Sequence, residues 1–157
     1  MVTWILVAQR GLARLYTSRG PGARPQLVET IEHAEGRAKD RELVSDRGGR
    51  VFKMRSAARS AAERKVTPHD HVTEQWATEL ATLCEHGWGR DDFDFLILVA
   101  EPRFLGRLKS ALGAKVAGRV VATLGKDLPL DLSEAELKAQ LGSLIEPWRK
   151  ALLKSAG

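Results

Sequence analysis

The sequence predicts an α/β fold in which a mixed central β-sheet is flanked by helices. Three observations lead to this prediction. Strand-like segments cluster at the start of the chain, helical and buried-strand patterns alternate after residue 67, and no internal repeat is present. With 43% hydrophobic and 29% charged residues, the 157-residue chain has the composition of a globular protein. Its length predicts a single domain over residues 1–157.

The first three predicted strands follow one another without a helix between them. The apolar, β-rich segment 3–9 is separated from segment 12–18 only by Arg10-Gly11, which predicts a hairpin with a tight turn. A loop rich in Gly and Pro follows. Residues 26–34 then alternate between two faces, as a third strand would.

A long helix and two buried strands are predicted after residue 67. Thr67-Pro68 has the chemistry of a helix start, and we expect this helix to end near His86-Gly87. The apolar run at 93–100 predicts a strand covered on both faces, and residues 118–124 predict another buried strand.

Two further helical regions complete the predicted element order. A short helix follows Pro102, and Ser133 with Glu136 forms a capping box that opens the last helical region. We expect that region to be interrupted at Pro147, because proline lacks the backbone N–H that a helix interior needs.

The positive charge of the chain is concentrated between residues 47 and 65. This segment holds seven basic residues and one acid, a net of +6, whereas the remaining 18 basic and 19 acidic residues sum to −1. It also lies in the long stretch 35–67 that lacks apolar periodicity, and such stretches are usually functional or disordered. A solvated charged face is the alternative, but the near absence of acids favours a polyanion partner. The basic residues are Arg47, Arg50, Lys53, Arg55, Arg59, Arg64 and Lys65.

The Gly48-Gly49 step lies inside this basic segment. Adjacent glycines permit a close approach of the backbone, so their amides could contact a phosphate or carbonyl oxygen, and the Arg50 guanidinium fits phosphate. An ordinary loop is the alternative interpretation. Phe52 is the one ring available for base stacking in the segment, so base-specific reading of a single strand is not predicted.

Metal, thiol and cofactor chemistry are not predicted. His69 and His71 are two residues apart and so would not share a helix face, and no set of three convergent ligands accompanies them. The single cysteine, Cys84, falls on an apolar helix face and is expected to be buried and inert. We therefore expect no metal, and we also expect no cofactor, since the sequence has no Walker A loop and no Gly-x-Gly-x-x-Gly fingerprint.

Acidic residues flank the apolar run at 93–100. Asp91, Asp92 and Asp94 precede it and are best interpreted as solvated turn residues. Glu101 and Arg103 follow it, at the strand end where α/β sheets commonly bind ligands. A small hydrolase with its site near Glu101 is therefore one alternative function.

The sequence shows no sign of a membrane partner. No apolar run approaches the roughly 20 residues that a membrane span needs, and the first residues lack the features of a signal peptide. We therefore expect a cytoplasmic protein.

Several stretches spread along the chain carry a family resemblance. They are Trp4–Ala8 with Gly11–Arg14, Leu43–Arg50, Phe93–Gly106 and Leu124–Leu128. On these residues the chain resembles the bacterial host attachment protein family, whose name means "protein required for attachment to host cells". That family is similar to the middle, catalytic domain of archaeal and eukaryotic peptide chain release factors and of the ribosome-rescue protein Pelota.

The resemblance implies a ribonuclease-H-like sheet of the release-factor middle-domain type, with a basic Gly-Gly loop at residues 45–67. In the release factors a Gly-Gly-Gln loop enters the peptidyl-transferase centre, and here Arg47-Gly48-Gly49-Arg50 occupies its place in the element order. The resemblance thus implies Gly48, Gly49 and Arg50 as the catalytic loop. Because arginine replaces the glutamine, it supports contact with RNA more directly than hydrolysis of peptidyl-tRNA.

The function implied by the resemblance is binding of ribosomal RNA or tRNA in translation termination or ribosome rescue. The partners would be the ribosome, rRNA or tRNA, held by the cations of residues 47–65. The flanking domains with which release factors read a codon are not in this sequence, so codon recognition is not expected. The alternative is a non-enzymatic interaction or regulatory protein that affects attachment to host cells.

Overall fold

In the part of the chain that the structure describes, a five-stranded mixed β-sheet carries helices on both faces, which confirms the predicted fold class. The structure, a computed structural model, describes residues 1–33 and 68–156. The strands are β1 (Thr3–Gln9), β2 (Leu12–Ser18), β3 (Gln26–Glu32), β4 (Phe95–Ala100) and β5 (Val120–Gly125). The helices are α1 (Pro68–Gly89), α2 (Pro102–Ala111), α3 (Ala114–Ala117), α4 (Glu134–Gln140), a 3-10 turn (Leu141–Leu144) and α5 (Ile145–Ala156).

The sheet has an antiparallel half and a parallel half that meet at β1. Its strand order is β3-β2-β1-β4-β5. β1 pairs antiparallel with β2 and parallel with β4, and β4 pairs parallel with β5. The carboxyl ends of β1, β4 and β5 therefore meet at one edge of the sheet.

The predicted hairpin between β1 and β2 is confirmed. The strands pair from Thr3 with Ser18 to Gln9 with Leu12 around the Arg10-Gly11 turn. Gly11 has a φ of 78°, a left-handed conformation that glycine adopts without steric cost. The third predicted strand is also present, although it ends at Glu32 rather than at residue 34.

The two central strands are buried on both faces, and their side chains alternate between two hydrophobic clusters. In β1, Leu6 and Ala8 pack on the side of α1 and α2, whereas Ile5 and Val7 pack on the side of α4 and α5. Every residue of β4 is buried, as the apolar run predicts. This burial on both faces holds β1 and β4 at the centre of a three-layer arrangement.

β5 differs from its prediction as a buried strand. It is the edge strand of the sheet beside β4, and Val120, Val121, Ala122 and Thr123 are each only partly buried. Leu124 alone is buried. An edge strand has one neighbour instead of two, so the same apolar residue types lose part of their cover.

Two helix boundaries also differ from prediction. α1 continues to Gly89 instead of ending near His86-Gly87. The last helical region is interrupted by the 3-10 turn at Leu141–Leu144 and not at Pro147. Pro147 lies in the first turn of α5, where a missing N–H costs nothing.

The amino ends of β1 and β4 are densely packed. The rings of Trp4 and Phe93 lie 4.8 Å apart between centroids. A Cβ atom added to Gly87 of α1 would come within 2.3 Å of Trp4 Cη2, so any side chain at this helical position would force the Trp4 ring to shift. On the opposite face, Trp148 Nε1 donates a hydrogen bond of 3.0 Å to Thr3 Oγ1, and both residues are buried.

Candidate functional site

The loop that the sequence predicts as functional lies outside the described residues. Its residues are Gly48, Gly49 and Arg50 together with Arg47, Lys53, Arg55, Arg59, Arg64 and Lys65. The structure does describe the two points that flank this stretch. His33 follows β3, and Asp70 lies in the first turn of α1. Both residues line one cavity, which is the candidate site among the described residues.

The cavity lies at the carboxyl ends of the three parallel strands and has a volume of about 380 Å³. Gln9 is contributed by the end of β1, Glu101 follows β4 and Asp127 follows β5. This edge is where open α/β sheets bind ligands, because side chains from separate chain segments converge there. The volume is near the lower end of the range for small-molecule sites.

Trp76 of α1 fixes one wall of the cavity. Its Nε1 donates a hydrogen bond of 2.7 Å to the backbone carbonyl of Gln9. The Gln9 side-chain amide in turn donates to the carbonyl oxygen of Leu128. These bonds tie α1, β1 and the segment after β5 together. Because Trp76 is buried, the wall is part of the core and is held rigidly.

His33 stacks on Trp76 and is a buried imidazole with incomplete hydrogen bonding. The two ring centroids are 5.1 Å apart, with planes 9° from parallel. Only 2% of His33 is exposed, and within the described residues neither ring nitrogen has a hydrogen-bond partner. Nε2 lies 3.4 Å from Glu79 Oε1, a contact that becomes an ion pair when the ring is protonated. Buried polar atoms normally find a partner, so His33 stands out.

Arg107 of α2 crosses from its own helix to the start of α1. Its Nη2 lies 3.4 Å from Asp70 Oδ1, and its Nη1 lies 3.6 Å from Glu74 Oε1. Nη1 also donates to the Asp70 carbonyl oxygen at 3.5 Å. The guanidinium therefore joins α1 to α2 at the rim of the cavity and is already engaged with carboxylates.

Glu101 and Arg103 both line the cavity, at the strand end where the sequence placed them. Glu101 is the N-cap of α2, and its Oε1 accepts a hydrogen bond of 2.6 Å from the Phe104 amide. Its carboxylate thus fills the usual capping role at a helix start. Arg103 is exposed, and it forms no hydrogen bond or ion pair with another described residue.

Three other residues that the sequence singled out, Asp92, Asp94 and Cys84, have structural roles. Asp94 Oδ2 accepts a hydrogen bond from the Val2 amide, and Asp92 pairs with Arg90. Cys84 is buried, and burial raises the pKa of its thiol to about 12, with a smaller contribution from the charge of Glu85. Within residues 1–33 and 68–156, no group of three or more side chains could hold a metal ion.

Sequence reasoning named Glu101 and Arg103 but missed the other cavity residues. Gln9 and Asp127 carry a usable signal, because Gln9 is the last residue of an apolar strand and Asp127 lies two residues after another. His33 and Arg107 carry none, since their convergence depends on how α1 and α2 pack across the sheet.

The comparisons with known proteins give the chain its family. The model of bacterial archaeo-eukaryotic release factor family 12 matches residues 2–141. The chain belongs to this family. The matched range includes the basic segment and every described residue of the cavity.

Two solved structures illustrate what this family 12 chain is similar to. One, described as an archaeal protein, has 9% identity and a TM-score of 0.42, with 99% of this chain and 41% of that chain covered. The archaeal translation termination factor aRF1 has 11% identity and a TM-score of 0.43, with 99% and 42% covered. The family 12 chain thus spans about two fifths of the length of each. No curated protein matches it.

The family description names release factors and does not mention attachment to host cells. The release-factor side of the resemblance is therefore confirmed at the level of the family. Among the helices that the structure describes, none has the length and apolar character to cross a membrane.

Proposed function

We propose that this family 12 chain is one release-factor-like domain that binds ribosomal RNA or tRNA through its basic segment, residues 45–67. The observation that carries the proposal is the family match over residues 2–141, which spans the segment that holds the excess positive charge. The ribosome is the partner, and translation termination or ribosome rescue is the process.

The chemistry of the segment suits phosphate. Seven cations with one acid give a local net charge of +6, and arginine binds phosphate through a planar fork of N–H donors. Gly48 and Gly49 would form the tip, where the absence of side chains lets the backbone approach RNA closely. Each phosphate contact releases counterions, so affinity should fall steeply with salt.

The test is a salt titration of ribosome and RNA binding by the full chain. We expect log affinity to fall linearly with log salt, with a slope of about 0.7 to 0.9 for each phosphate contact. The double variant Arg55→Ala/Arg59→Ala should lower that slope by roughly 1 to 2 and weaken binding at every salt concentration.

A matched control removes the same charge from another place. Arg149 and Lys150 are exposed on α5, so Arg149→Ala/Lys150→Ala lowers the net charge by two without touching the segment. If this control weakens binding as much as the segment variant does, binding depends on overall charge and the proposal fails. Binding that is insensitive to salt would contradict it as well.

Peptidyl-tRNA hydrolysis by the same loop is the finer part of the proposal. Arg50 supplies a backbone amide but not the side-chain amide of a glutamine. We therefore expect the wild-type chain to bind stalled ribosomes with little release and Arg50→Gln to release peptide faster. Gly49→Ala should abolish that gain, and release that survives Gly49→Ala unchanged would remove the loop from the mechanism.

Two alternatives make different predictions. A role in attachment to host cells would be indirect under our proposal, and finding the native protein on the cell exterior without lysis markers would favour attachment. A small hydrolase near Glu101 is supported by the cavity but has less support than RNA binding. The Glu101 carboxylate is already bound to the start of α2.

A further inference from the structure

We propose that the cavity at the carboxyl ends of β1, β4 and β5 binds a small organic phosphate of about the size of a nucleoside monophosphate. The residues that carry this inference lie outside residues 45–67 of the sequence, and the inference does not depend on RNA binding. The ligand would be held, not converted.

The position and shape of the cavity favour a small molecule. It is concave, has a volume of about 380 Å³ and lies where open α/β sheets bind ligands. Its walls combine apolar and aromatic side chains such as Trp76 and Phe104 with a few polar groups from separate segments. This composition is typical of pockets that take an organic body with one charged group.

Among the described residues that line the cavity, Arg103 is the cation available for the phosphate. Arg107 is engaged with Asp70 and Glu74, and Arg10 also has a partner. Arg103 lines the cavity from the first turn of α2 and forms no hydrogen bond or ion pair with a described residue. Its guanidinium offers a planar fork of donors that matches a phosphate group in two places at once.

His33 provides the second, independent indication of a ligand. It is 98% buried and lines the cavity, and within the described residues Nδ1 has no partner, whereas Nε2 faces Glu79 Oε1 at 3.4 Å without forming a hydrogen bond. A buried polar atom without a partner is unfavourable, so a ligand oxygen or hydroxyl in the cavity would remove that cost. The stack on Trp76 fixes the ring, which makes His33 a pre-oriented hydrogen-bonding group.

The charge balance of the cavity argues for a single phosphate over a polyanion. Among the described residues that line the cavity, the basic residues Arg10, Arg103 and Arg107 are matched by three acids. These acids are Asp70, Glu101 and Asp127. A triphosphate or an RNA backbone would meet these carboxylates and be repelled. Asp127 is exposed and forms no described contact, so it can accept hydrogen bonds from ribose hydroxyls.

The test is calorimetric titration of the full chain with AMP, CMP, GMP and UMP. We expect at least one of them to bind with one-to-one stoichiometry. Adenosine and inorganic phosphate should each bind at least tenfold more weakly than AMP if AMP is the tightest of the four. Ribose 5-phosphate separates recognition of the sugar phosphate from recognition of the base.

Binding by variants of the cavity residues tests whether the molecule binds in the cavity. Arg103→Ala should weaken binding roughly tenfold to a hundredfold, and Arg103→Lys should fall between it and the wild type, because lysine keeps the charge and loses the fork. Arg149→Ala, an exposed arginine on α5, is the control and should leave affinity unchanged. His33→Asn, checked for folding by circular dichroism, should weaken binding as well.

The proposal for the cavity and the proposal for the basic segment can be refuted independently of each other. Arg55→Ala/Arg59→Ala should leave nucleotide affinity unchanged. If that variant abolishes nucleotide binding while Arg103→Ala does not, the nucleotide reports the basic segment and the cavity proposal is wrong. Absence of binding by all four nucleotides and ribose 5-phosphate at millimolar concentration would also overturn it, with RNA binding unaffected. Equal affinity for adenosine and AMP would exclude the phosphate.

Discussion

The two ends of the central strands β1 and β4 are built in opposite ways. At the amino ends, Trp4 packs on Phe93. The Trp4 ring also lies so close to Gly87 that a methyl group at Gly87 would clash with it. At the carboxyl ends, the same strands open into a cavity lined by charged residues and by His33, whose ring nitrogens have no hydrogen-bond partner in the described part of the chain. The difference teaches that one end of the sheet is closed by tight packing, whereas the other end keeps an open cavity.

The largest loss of stability is expected from adding a side chain at the packed end. Gly87→Ala should destabilise the protein by about 3 kcal/mol, because the new Cβ would lie 2.3 Å from Trp4 Cη2 and 2.5 Å from Cζ3. The Trp4 ring is held by Phe93 and cannot move away freely. The measurement is urea unfolding followed by circular dichroism.

Gly106 provides the matched control for this substitution. It lies in α2, and a Cβ there would meet nothing within 4 Å. Gly106→Ala should stabilise the protein by up to about 1 kcal/mol, since alanine favours a helix over glycine. Equal effects of the two substitutions would mean that the packing at Trp4 is not tight.

A smaller effect is expected from removing one hydrogen bond at the same end. Thr3→Val keeps the shape of the side chain but leaves Trp148 Nε1 without its acceptor. A buried donor without a partner costs about 1–3 kcal/mol. The change should appear as a lower urea midpoint with an unchanged slope. A stability equal to wild type would show that Trp148 finds another acceptor.

The smallest effects on stability are expected at the cavity end. Arg103 and Asp127 are exposed and form no described contacts, so Arg103→Ala and Asp127→Asn should each change stability by less than about 0.5 kcal/mol. The same variants should alter ligand binding. A loss of several kcal/mol from either would mean that the cavity end also holds the fold together.

Local sequence patterns were sufficient for the elements whose physics is local. The Arg10-Gly11 hairpin, the buried run of β4 and the Ser133–Glu136 capping box all appear as predicted. Each depends on neighbours within a few residues or on an uninterrupted apolar run, so a single sequence contains the information.

The predictions that failed depended on partners elsewhere in the fold. β5 has the apolar residues of a buried strand, but nothing in those residues says that it takes the sheet edge. The cavity was not predicted for the same reason, because its residues come from distant parts of the chain. His33 and Arg107 are 74 positions apart in the chain, and only the packing of α1 and α2 on the sheet brings them to one place.

The positions of His33 and Asp70 have a consequence for how this fold can vary. His33 precedes and Asp70 follows positions 34–67 of the chain, and both residues line a single cavity. Because the chain leaves and re-enters the described fold at one cavity, a change in the number of residues between these two points should cost the sheet little, since the entropy of closing a chain segment depends only weakly on its length.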